Sequence, residues 1–296
     1  MITWRYHILT IAAIFLALSL GVLIGIALTD SGRVNSSQQN LVSGIQQDLT
    51  SLRGQVDSLG RDNSINLRFQ QDAFPFIVGG QLQGRKIAVI AADAAGSDIQ
   101  RRLESAIHGA GGQVISTTVL NSRFDQKAMN DKVRNDWKDD PSYAGADDGT
   151  LINLIARQLD REIVKAGGEK MLSTLQGTLV DSTSGRYDIP ADGVVIISRS
   201  DDKQTPAYSE VEKQMAIGLN ELSVIAVGCE TSDAPSSEIP IYLSADISSV
   251  DNLDSPIGQV SVVYALAGEK GNYGIKTTSN MLIPILRSPK SQTVAH

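Results

Sequence analysis

Apolar residues run without a charge from Ile8 to Leu28 (ILTIAAIFLALSLGVLIGIAL). At about 1.5 Å rise per residue, such a run matches a bilayer core of roughly 30 Å. Its polar members, Thr10 and Ser19, can return their hydroxyls to the helix's own carbonyls, and Trp4 and Tyr6 stand where interfacial aromatics are expected. The following Thr29-Asp30-Ser31-Gly32 carries no convincing small-x-small cleavage site, so the segment reads as an uncleaved signal anchor. Residues 1–7, with Arg5 and His7, then form a cytoplasmic tail, and the body of the chain lies on the extracytoplasmic side. Gly21 and Gly25, four apart, are candidate helix-pairing residues because paired glycines let two backbones approach closely. Glycine is also common in unpaired membrane helices.

From 31 to 72 the rhythm changes. Val42, Ile45, Leu49, Leu52, Val56 and Leu59 recur in alternating steps of three and four within a polar background, the seam pattern of a coiled coil. The register continues to Asn63, where a buried amide would fix strand alignment. Gly44, Gly54 and Gly60 each weaken the helix by about 1 kcal/mol relative to Ala, so the stalk should be marginal alone and helped by a shared membrane.

Pro75 marks the expected boundary, with Phe74, Phe76, Ile77 and Val78 docking the stalk onto an α/β domain, 76–296. The apolar runs 86–91 and 193–198 read as buried strands, and 113–120 and 223–228 as further strands; 99–110, 127–137 and 207–219 read as helices. Residues 150–180 read as two helices broken at Gly167-Gly168. The alternation implies parallel strands with right-handed crossovers, hence a Rossmann-like layered sheet.

Composition narrows the chemistry. The net charge of -7 without a Lys/Arg cluster argues against nucleic acid. One cysteine, Cys229, excludes an internal disulfide. The loop Ala92-Asp93-Ala94-Ala95-Gly96-Ser97-Asp98 lacks G-x-G-x-x-G, and no P-loop occurs, so no nucleotide cofactor is expected. There is no G-x-S-x-G, only His108 among the three histidines (7, 108, 296) lies within the domain, and no catalytic residue is assigned.

The stretch from Trp4 to Gly25 resembles the opening of the MctB copper transporter family. A more specific likeness lies in Ser249-Val-Asp-Asn-Leu-Asp-Ser-Pro-Ile-Gly-Gln259, with Val260 to Ala267 and Asn272-Tyr-Gly274. The resemblance implies two different roles. One is copper efflux or tolerance, including a description as a channel protein. The other, from the related SteB branch, is partnership with a SteA-like envelope or division protein.

Copper(I) prefers two or more thiolate or thioether ligands. Cys229 and five scattered methionines supply no such motif, and no metal ligands are assigned. Cys229 has an ordinary explanation as a small residue ending a buried strand. Asp251, Asn252 and Asp254 are the best candidate partner or ion site; alternatively they supply turn chemistry before a helix capped by Ser255 and begun by Pro256. A pore built from one apolar helix per chain would lack a polar lining. The expected protein is therefore a homodimeric, single-pass envelope scaffold or regulator without enzymatic activity, with copper homeostasis as the alternative.

Overall fold

The computed structural model describes residues 4–29, 33–198 and 204–286, giving the backbone alone for Arg5, Leu28, Thr29, 33–41 and Ala94. The expected tail falls partly outside these residues, and the Asp30–Gly32 junction wholly so. Two compact units emerge, 1–66 and 67–296.

In the first unit, helix α1 covers Trp4–Thr29, with Tyr6–Ala27 long and apolar enough to cross a membrane. Thr10 Oγ1 donates to Tyr6 O at 2.7 Å and Ser19 Oγ to Phe15 O at 2.8 Å, so neither hydroxyl interrupts the apolar surface. Helix α2 covers Arg33–Val78 and so runs through Pro75, where the sequence places a boundary. Proline removes one hydrogen bond and costs about 3 kcal/mol inside a helix. Here it lies in the last turn, Gly79 N donates to Pro75 O at 3.0 Å, and burial of Val78 with Phe74 and Ile77 in the second unit's core offsets the loss. Phe76 does not join that docking segment; it is 90% exposed.

The second unit is a mixed α/β structure. After α2 come β1 (Lys86–Ala92), α3 (Ser97–Gly109), β2 (Gln113–Leu120), α4 (Gln126–Asp136), α5 (Pro141–Ala144), α6 (Asp148–Lys165), α7 (Lys170–Leu175) and β3 (Val180–Gly185). Then follow β4 (Gly193–Ile197), α8 (Pro206–Glu221), β5 (Ile225–Cys229), α9 (Ile239–Ser244), β6 (Ser248–Val250), α10 (Pro256–Leu266) and β7 (Asn272–Tyr273). The seven strands among the described residues form one sheet, ordered β3-β2-β1-β4-β5-β6-β7. All neighbours are parallel except β2 and β3.

The apolar strands are buried on both faces because their alternate side chains enter two separate cores. Ala88, Ile90, Val194 and Ile196 join Met129, Leu151, Ile155, Leu159, Met215 and Tyr242 on one face. Ile87, Val89, Val195, Val227 and Val250 join Leu103, Ile107, Val262 and Leu266 on the other. Gly167-Gly168 breaks the helices as expected, but the second ends at Leu175 and Val180 opens an antiparallel edge strand. Past Val180 that strand is exposed and rich in Ser and Gly, so it lacks the apolar alternation that marks a strand.

Candidate functional site

The motif that is most specific in the sequence lies at the carboxyl ends of β5, β6 and β7, where the chain leaves β5 with Glu230, β6 with Asp251 and β7 with Gly274. After β6, Asp251 is completely buried. Its Oδ1 accepts from Ile275 N at 2.8 Å; Oδ2 accepts from Lys276 N at 2.8 Å and from Ser279 Oγ. After β5, Glu230 is also buried and accepts from Lys276 Nζ at 2.6 Å, Ser237 Oγ at 2.8 Å and Glu238 N at 2.8 Å. Lys276 Nζ further donates to Thr231 O at 3.2 Å. One loop, from Gly274 to Ser279, is thus held by both carboxylates.

Asp254 takes a different load, accepting from Ser232 N and Ser232 Oγ at 2.7 Å each. Ser255 caps α10 by accepting from Gly258 N at 3.0 Å, with Pro256 as the first helical residue. Gly258 is required by a close approach: a Cβ there would stand 2.0 Å from Asn252 O. Asn252 is buried, and its Oδ1 has no hydrogen-bond partner. The three expected residues are therefore neighbours in sequence whose side chains serve different loops. Sequence reading missed Glu230 and Lys276, which come from distant segments. Lys276 inside the Asn272-Tyr-Gly274 neighbourhood was the available signal.

A second polar cluster, also missed, adjoins the first through Glu238, whose N–H donates to Glu230 and whose charge acts on Glu212. Glu212 on α8 is buried and accepts from Ser198 Oγ at 3.1 Å and from the Tyr242 hydroxyl. Burial pushes its carboxyl up to about 7, opposed by the Tyr242 hydrogen bond and reinforced by Glu238. The spacing Tyr208, Glu212, Met215, Leu219 puts Glu212 on the inward stripe of its helix, so its burial was legible. Asp160 on α6 is likewise buried, with no partner for either oxygen, and desolvation holds its carboxyl well above the usual range despite Arg157.

Among the described residues the sulfur atoms do not converge. Cys229 is fully buried at the end of β5; its thiol points to Val227 O at 3.9 Å, and burial pushes its pKa up. Met129, Met171 and Met215 are in the core, whereas Met281 is exposed. Among the described residues no group of three His, Cys, Asp or Glu is arranged to hold a metal.

In the first unit, a Cβ added at Gly21 or Gly25 would meet nothing within 4 Å. Along α2, Val42, Ile45, Leu49, Leu52, Val56 and Leu59 are each between 49% and 68% exposed, and Asn63 follows them on the exposed helix surface.

Comparison with known proteins adds the context. A family model described as "Copper transport outer membrane protein, MctB" matches residues 1–284. Similar proteins named "Copper transporter MctB" occur in Mycobacterium bovis and Mycobacterium tuberculosis. Each is 23% identical over 303 residues, covering 93% of this chain and 96% of the relative.

Proposed function

The chain belongs to the MctB family of copper-related membrane proteins, and on that premise we propose that it is a bitopic envelope scaffold or regulator working through protein-protein contacts. In this reading α1 is an anchor with its N-terminus in the cytoplasm, and the α/β unit is a Rossmann-like domain on the extracytoplasmic side. Two copies pair through the Gly21/Gly25 notch and a coiled coil along α2. The domain engages a SteA-like envelope or division protein, and no catalysis is involved.

The carrying observation is the apolar stripe from Val42 to Leu59, exposed throughout in a single chain. Six large apolar side chains in heptad register are stable in water only when covered. The test is crosslinking of the full chain in membranes. Leu52→Asp combined with Leu59→Asp should abolish the crosslinked dimer; its survival would refute the seam.

Copper homeostasis is the second reading, favoured by the names of the relatives. Titration of the full chain with Cu(I) against a competing chelator, together with copper tolerance after deletion, tests it. Absence of binding tighter than micromolar and an unchanged tolerance would refute it.

A further inference from the structure

Three helices of the second unit end at one place. A cavity of about 220 Å³ opens at the amino ends of β5 and β6, and its rim takes Asn220 from the last turn of α8, Asp246 from just beyond α9 and Gly268 from just beyond α10. The last carbonyls of a helix have no partner within it, and the aligned peptides leave about half a negative charge at that end. Helices α8 and α10, of 16 and 11 residues, contribute most of this charge, and the six-residue α9 adds less.

The sequence leaves these ends uncompensated. Helices α3, α4 and α6 carry His108, Arg134 and Lys165 in their last turns, the favourable place for a cation, whereas α8, α9 and α10 carry no basic residue there. Lys270, also on the rim, is paired with Asp246 at 2.7 Å, and the two side chains are 60% and 74% exposed. A pair so exposed holds weakly and does not seal the cavity.

Below the rim the wall is apolar: Ala226, Ile247 and Ala265 are buried and Ile225 is half-buried. The volume decides the size of the occupant. Pockets for cofactors and drug-sized ligands run to roughly 300–1,000 Å³, so this one suits a single side chain or head group. An aliphatic stem with a charged head lays its methylenes on an apolar wall while its charge stays at a polar rim.

We propose that this cavity binds an alkylammonium group, with its stem against Ile225, Ile247 and Ala265 and its head among the carboxyl ends of α8 and α10 beside Asp246. A lysine side chain of a partner protein and a free amine both present this chemistry. An alkyl carboxylate of the same length fits the wall equally but is repelled by the helix ends. The site is separate from the α2 seam and from any copper chemistry, and its test is independent of both.

The full chain in phosphatidylcholine nanodiscs, with its isoleucine and alanine methyls labelled, is titrated with n-butylammonium, n-butanol or n-butanoate and followed by methyl NMR. Butylammonium should shift the Ala226, Ile247 and Ala265 methyls saturably, with a Kd on the order of 1 mM for so few heavy atoms. Butanol, which has the stem without the charge, should bind roughly tenfold more weakly, and butanoate not measurably. Substitutions at two exposed positions separate binding from a structural role. Asn220→Lys places the chain's own cation on the α8 end and should weaken butylammonium binding roughly tenfold with no loss of thermal stability. Lys270→Ala removes a competing ammonium and should tighten binding about threefold. Nα-acetyl-lysine methylamide identifies the source: affinity equal to that of butylammonium, lost on Nε-acetylation, points to a protein lysine, and weaker binding points to a free amine. Equal binding of butanol and butylammonium, preference for butanoate, absence of saturable shifts, binding unchanged by Asn220→Lys, or binding weakened by Lys270→Ala would each overturn the proposal.

Discussion

Replacing Asp251 by Ala tests whether its carboxylate is the structural centre of the β6–β7 edge. The substitution deletes the acceptor for Ile275 N, Lys276 N and Ser279 Oγ. A hydrogen bond to a charged group contributes about 1.5–3 kcal/mol net. The sum is reduced because the charge no longer has to be desolvated and because water can reach the exposed side of the loop. A net loss of about 3 kcal/mol is expected, a large share of the roughly 5–15 kcal/mol that stabilises a typical domain. Urea unfolding of the full chain in micelles, followed by the fluorescence of Trp137, reports on the right unit, because that indole packs on Tyr143 with ring centroids 4.6 Å apart. The midpoint should fall at an unchanged slope, and hydrogen exchange at the Ile275 and Lys276 amides should accelerate more than the global loss accounts for. Asp251→Asn, which keeps one carbonyl acceptor, should be intermediate. A shift worth less than about 1 kcal/mol, with both amides still protected, would refute the reasoning.

Other consequences follow from single contacts. Because Glu212 is raised from 4.5 to about 7 in the folded chain, its contribution is complete below about pH 4.5 and is lost as pH rises through about 7, some 3 kcal/mol in all; Glu212→Gln should flatten that decline in urea midpoints between pH 5 and 8. Gly218→Ala would bring a Cβ to 2.2 Å from Asp160 Oδ2 and should destabilise by about 2 kcal/mol. A double-mutant cycle with Asp160→Ala should recover most of that loss, and strict additivity would show that the contact is unimportant. Gly258→Ala should be at least as damaging, since its Cβ would meet the immobile Asn252 carbonyl rather than a side chain, whereas Ser255→Ala should cost about 1 kcal/mol as a lost helix cap; thermal unfolding of the two variants checks the ranking.

Local chemistry made much of this protein legible in one dimension. The uncharged run from Ile8 to Leu28 determined α1, because solvent alone dictates that composition. The strands 86–92 and 193–197 were readable because burial on both faces demands continuous apolar residues. Ser255-Pro256 announced α10, since capping depends only on adjacent residues. Tertiary structure decided what adjacency cannot express. It let Pro75 continue a helix whose end packs into the core through Phe74, Ile77 and Val78, and it paired the polar strand Val180–Gly185 with β2. It turned Asp251 and Asp254 toward different loops and brought Glu230 to Lys276 across 46 residues of chain. These outcomes depend on which distant donor reaches a buried carboxylate, and that is set by the order of strands in the sheet, a property no single stretch of sequence contains.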